Sequence, residues 1–83
     1  MQIIMLAPAM DALAVLPANI RERIRRAMEH RLSDHPEMCG EALAGTLRGY
    51  WRIRVGDYRV IYRISGQQVI VHVIGNRKDV YGR

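Results

Sequence analysis

Apolar and basic residues alternate on both sides of a Gly-Asp pair between Trp51 and Arg63, in the run Trp-Arg-Ile-Arg-Val-Gly-Asp-Tyr-Arg-Val-Ile-Tyr-Arg. A period of two broken by such a pair predicts a two-stranded hairpin. A two-residue turn at Gly56-Asp57 sets Val55 opposite Tyr58, Ile53 opposite Val60 and Trp51 opposite Tyr62, all on a core face. The other face then carries Arg52, Arg54, Arg59 and Arg63, with Arg54 directly across from Arg59. Like charges opposed across a ladder are destabilising. A sheet that keeps them has a polyanion to meet, and RNA is the leading candidate.

The remaining pattern supplies the rest of the elements. The apolar run Gln2 to Ala7, ended by Pro8, predicts a strand, and Ala9 to Leu16 a short helix ending before Pro17. Ile20, Ile24, Met28 and Leu32 recur every four positions, which predicts a helix over 18–32 with its charged residues on the other faces. Its start is open: Asn19 and Glu22 have capping-box spacing, while Pro17 suits a first helical turn. Ser33 to Pro36 stops it. Residues 37–49 form a glycine-punctuated connection with a turn of helix around Leu43, and Ser65 to Gln67 a second turn. Gln68 to Ile74 predicts a third strand, interior to the sheet, with Val69, Val71 and Val73 joining the core and Ile70, His72 and Ile74 on the arginine side. Gly75 to Arg83 is read as a tail. The order is strand, two helices, three antiparallel strands: an α+β fold with a small antiparallel sheet and the helices packed on one face.

Eighty-three residues bound this to one domain, residues 1–83. The net charge of +5 is unevenly spread: residues 1–41 hold five arginines against six acids, and residues 42–83 hold seven arginines and one lysine against two acids. The basic field belongs to the C-terminal half, as expected for a nucleic-acid or acidic-protein partner. Arginine outnumbers lysine twelve to one, which suits bidentate phosphate contacts, although high genomic GC content gives the same bias. One cysteine, Cys39, permits neither an internal disulfide nor a cysteine-based metal site, and fits a reduced cytoplasmic compartment. No apolar run approaches membrane-spanning length, and the first residues read as a strand and not as a signal peptide.

Over most of its length, and most strongly from Leu47 to Tyr81, the chain resembles the RelE/ParE superfamily of toxins from type II toxin–antitoxin pairs. The residues that carry the resemblance are Trp51-Arg-Ile-Arg-Val-Gly-Asp-Tyr-Arg-Val-Ile-Tyr, Val71 to Ile74, Arg77 and Val80-Tyr81, with Leu16-Pro17 before a charged helix. The resemblance implies a labile antitoxin partner in a toxin–antitoxin hetero-oligomer. RelE-like members cut messenger RNA on the ribosome without a metal or other cofactor; ParE-like members share the fold and poison DNA gyrase. Carried over, the RelE-like functional positions are Arg52, Arg54, Arg59, Arg77 and Tyr81. This chain departs from many active relatives in having arginine and not lysine at 52 and 54, and asparagine at 76 where histidine is common.

Metal-free RNA cleavage needs a base for the ribose 2′-hydroxyl, charge stabilisation at phosphorus and a proton for the departing 5′ oxygen. Arginine meets the second need and, holding its proton throughout the working pH range, not the others. Tyr81 is the assigned base, its phenolate favoured by Arg59 and Arg77, which hold the scissile phosphate. Arg52 and Arg54 grip flanking phosphates and Lys78 supplies a proton, unless Asp79 simply pairs with it. His72 is a rival base. The plainer readings are a histidine packed beneath a neighbouring segment, a solvated Arg63 and a Tyr81 that closes the sheet; His30 and His35 are read as surface. Trp51, Tyr58 and Tyr62 belong to the core, leaving Tyr50 and Tyr81 as the aromatics placed to stack a nucleobase. The expectation is a ribosome-dependent endoribonuclease toxin held in check by an antitoxin. Its rivals are a gyrase poison without chemistry and an inactive member that binds only its antitoxin.

Overall fold

Period-two patterning in the C-terminal half and period-four patterning in the helix before it sort the chain into a sheet with helices on one side. The computed structural model describes residues 1–76. Strand β1 (Gln2–Met5) is followed by helices α1 (Ala7–Ala14) and α2 (Ala18–Leu32), a single helical turn α3 (Pro36–Cys39) and the two-residue strand β2 (Glu41–Ala42). A 3₁₀ turn (Gly45–Leu47) then leads to β3 (Trp51–Val55), β4 (Tyr58–Ser65) and β5 (Gln68–Asn76). Among the described residues the sheet has the order β1-β5-β4-β3-β2, antiparallel except where β1 runs parallel to β5.

The hairpin has the expected register: Val55 pairs with Tyr58, Arg54 with Arg59, Ile53 with Val60 and Trp51 with Tyr62. Gly56 opens its turn at φ 61°, a value at which a side chain is strained, and among the described residues no non-glycine residue has positive φ. Helix α2 has the expected bounds and sets Ile24, Met28 and Leu32 into the core. These meet Ala9 and Leu13 of α1 and Ile53, Val55, Val60, Tyr62, Val69, Val71 and Ile74 of the sheet. Burying each large aliphatic side chain contributes about 1.5–3 kcal/mol, and this layer is the main source of stability. Trp51 and Tyr58 pack against it partly exposed. An apolar groove of about 220 Å³, lined by Ile3, Met5, Leu13 and Met28 with Arg25 and Glu29 at its rim, opens between β1 and the helices.

Several expectations are corrected. Strand β1 stops at Met5 and α1 begins at Ala7, so Pro8 opens the helix and does not close the strand. Proline is well suited to that first turn, where its missing N–H has no helical acceptor to lose. Pro17 itself is the N-cap of α2, and Asn19 lies inside the helix, where it cannot cap. The connection forms α3, β2 and the 3₁₀ turn in place of a turn around Leu43.

The largest correction lies in β5. Ile61 pairs with Val73 but Tyr62 pairs with Val71, so His72 is the extra residue of a β-bulge. One extra residue reverses the inside–outside phase beyond it. Val73 is therefore 38% exposed, and Ile74, 4% exposed, joins the core opposite Val60, the reverse of simple alternation. Gly75 and Asn76, expected in the tail, extend the strand beside Arg59 and Tyr58.

Candidate active site

The hairpin holds its arginines on the sheet face opposite the helices. Alternation along β3 sends Arg52 and Arg54 there while Ile53 and Val55 enter the core. Their partners in β4, Ile61 and Arg59, share the face. Ile61 is 3% exposed yet lies outside the helix-side core, so the centre of the arginine face has an apolar floor. Electrostatic interactions above such a floor are stronger than in open solvent.

Strand β2 adds a residue that hydrophobic patterning gave no reason to select. Glu41 pairs in register with Arg52, and its Oε1 accepts from Arg52 Nη2 at 2.6 Å, with Arg54 Nε at 3.9 Å. The Arg52 hydrogen bond first, then the charges of Arg52, Arg54 and Arg59, hold the Glu41 carboxyl below the usual carboxylate range. One anionic group thus feels three guanidiniums at once. A two-residue strand has no periodicity to read, so the sequence carries no signal that would single out Glu41.

Arg59 is the unusual member. It is 7% exposed; its Nη1 donates to the Tyr58 carbonyl at 3.4 Å, and its buried Nε has no hydrogen-bond partner among the described residues. Among those residues no carboxylate forms an ion pair with it. Burying a cation without an anion is costly, so this site is short of negative charge.

The other end of the face is aromatic. Arg63 Nε lies 3.4 Å from His72 Nε2, and the Tyr50 ring meets the imidazole edge-on with centroids 5.0 Å apart. Partial burial, then the Arg63 charge, lowers the His72 pKa from its ordinary value. Arg63 is therefore engaged and not merely solvated. Arg77, Lys78 and Tyr81 lie outside the described residues, so Arg52, Arg54 and Arg59 are the site residues brought together here. Among the described residues no three His, Cys, Asp or Glu side chains converge as metal ligands would. No described helix is long and apolar enough to cross a membrane.

The chain matches the family described as ParE toxin of type II toxin-antitoxin system, parDE, over residues 3–81. It is similar to a chain in the toxin–antitoxin complex RelBE2 of Mycobacterium tuberculosis, at 28% identity and TM-score 0.85, covering 94% of this chain and 92% of that one. A chain of the RelB–RelE antitoxin–toxin complex from Methanococcus jannaschii is similar at 25% identity and TM-score 0.72, covering 94% of each. The isolated E. coli RelE toxin shares the fold at 17% identity and TM-score 0.75, covering 96% of this chain and 89% of that one. No curated protein sequence matches the chain. With a family match spanning nearly its whole length and a helix-backed sheet that superposes on RelE chains, the protein belongs to the RelE/ParE superfamily and is a toxin of the type II toxin–antitoxin class.

Proposed function

We propose that this toxin is a ribosome-dependent, metal-independent endoribonuclease that cuts messenger RNA in the cytoplasm and is neutralised by a cognate antitoxin bound in a hetero-oligomer. The observation that carries the reading is the buried Arg59 guanidinium, without an anion among the described residues, on a face where Arg52 and Arg54 already converge on a carboxylate. A phosphodiester supplies the missing charge, and arginine's planar fork matches phosphate oxygens.

In the proposed step the ribose 2′-oxygen attacks phosphorus, its proton passes to the Tyr81 phenolate, and the bond from phosphorus to the 5′ oxygen breaks. The products are a 2′,3′-cyclic phosphate and a 5′-hydroxyl, whose proton comes from Lys78. Arg59 and Arg77 stabilise the phosphorane, and Arg52 and Arg54 hold neighbouring phosphates. Chain continuity supports this grouping: Arg77 follows Asn76, which pairs with Tyr58 beside Arg59. The antitoxin assignment is supported by two similar chains, both from toxin–antitoxin complexes.

The ParE name of the matching family favours a second reading, a gyrase-binding protein without chemistry. Induction of the chain in cells, with mapping of message ends, separates the two. The nuclease reading expects messages cut within codons and no cutting by Tyr81→Phe. Intact messages with DNA damage signalling would establish the gyrase reading, and no growth effect an inactive member.

A further inference from the structure

We infer that Tyr50, His72 and Arg63 form a nucleobase subsite, in which a purine of the bound strand stacks against Tyr50 while Arg63 and His72 contact its edge. The inference deepens the nuclease reading and rests on it for the identity of the strand.

The subsite is built by the same alternation that builds the arginine face. Tyr50 precedes Trp51 and has the parity of Arg52 and Arg54, so its ring lies on the side away from the helices and outside the apolar core. Its backbone is fixed at both ends: Tyr50 N–H donates to Leu47 O at 3.0 Å, and Tyr50 O accepts from Leu43 N–H at 2.9 Å. The bulge in β5 then re-aims His72 toward it, giving the perpendicular ring contact at 5.0 Å. A half-buried aromatic pair with no described helix on its side is an unusual outlay for stability alone.

The polar atoms are matched to a base edge. His72 Nε2 accepts from Arg63 Nε, which places the ring proton on Nδ1 as a donor. Among the described residues the remaining Arg63 N–H groups have no acceptor, leaving a donor fork of the kind that reads the N7 and O6 acceptors of guanine. At 3.3–3.4 Å per residue, Tyr50 stands about 7 Å along the strand from Arg52 and about 13 Å from Arg54. One or two nucleotides span that interval, so a phosphate held by the arginines delivers an adjacent base to Tyr50.

The test is binding of short 2′-O-methyl single-stranded RNAs, which cannot be cleaved, by the purified protein. One oligonucleotide carries purines throughout, and the others carry one abasic position moved along the strand. The expected result is a position at which loss of the base weakens binding roughly 5- to 150-fold, as for a single stacked base. Tyr50→Ala should bind the purine strand as weakly as the wild type binds the abasic one and should no longer discriminate. Tyr50→Phe, which keeps the ring, should behave as wild type and guards against misfolding of the alanine variant. Equal binding of abasic and purine strands by the wild type, or no RNA binding at all, would overturn the inference. Discrimination by a protein that leaves messages intact in cells would keep the subsite and remove the nuclease reading.

Discussion

Glu41 and Arg52, paired in register on adjacent strands, close a 2.6 Å ion pair at the β2 edge of an otherwise basic sheet face. The carboxylate occupies the field of Arg52, Arg54 and Arg59, where a phosphate is expected to bind. RNA binding must therefore either displace it or tolerate it. Glu41→Gln is expected to tighten binding of single-stranded RNA and to steepen its salt dependence by about 0.7 in slope for each further phosphate neutralised. Anisotropy titrations across a salt series check both, and an unchanged slope would place Glu41 outside the binding field.

The same geometry gives the carboxylate a pH signature. The Glu41 carboxyl is held low by the Arg52 hydrogen bond, so its folded pKa lies below its unfolded one. Its contribution to stability is complete above the ordinary carboxylate range and is lost as pH falls through the folded value. Glu41→Gln should flatten that acid limb of the melting-temperature profile, and an identical limb in both proteins would refute the assignment.

His72 titrates in a different window. Partial burial first, then Arg63, depresses its pKa in the fold. The neutral ring is favoured, so its contribution is complete above about pH 6.5, the ordinary histidine value, and falls away as pH drops toward the folded value. His72→Gln should remove this loss between neutral and mildly acid pH, read as melting temperature against pH. Persistence of the loss would assign it to other groups.

Tyr62 and Gly40 hold the single turn α3 against the sheet. The fully buried Tyr62 hydroxyl donates to the Pro36 carbonyl at 2.7 Å, and a Cβ on Gly40 would clash with that oxygen of the phenol. Gly40→Ala should cost about 1–3 kcal/mol through overpacking, and Tyr62→Phe about 0.5–1.5 kcal/mol through the lost hydrogen bond. At roughly 4–8 °C per kcal/mol for a domain of this size, thermal melts resolve both. Burial pushes the Tyr62 pKa up to about 12, so the buried phenol's contribution is intact below about pH 10 and fades as pH rises through 12. Tyr62→Phe should remove that alkaline loss.

The hairpin was the most legible part of the chain because three signals agree in it: alternation, a Gly-Asp turn and aromatic cross-strand partners. Helix α2 was equally plain from its four-residue spacing. What pattern could not reveal were features set by one residue or by distant partners. The bulge at His72 is invisible to a count of two, since both Val73 and Ile74 are apolar and either could have been the core residue. Pro8 reads as a stop whether it ends a strand or opens a helix. Within the site, Arg52, Arg54 and Arg59 were recoverable from parity, whereas Glu41 and the Tyr50–His72 contact depend on strand pairing and on the bulge. Arg77 and Tyr81 rest on the family resemblance, and Lys78 on the need for a proton donor beside them.

Neutralisation of a phosphodiester by the buried Arg59 guanidinium during cleavage is the step on which the nuclease reading depends. The direct measurement is the single-turnover rate of cutting on ribosome-bound message by Arg59→Gln, with its melting temperature verifying the fold. A loss of about 100-fold or more, the scale for removing one transition-state donor, is predicted. Cleavage at the wild-type rate by the folded variant would contradict it.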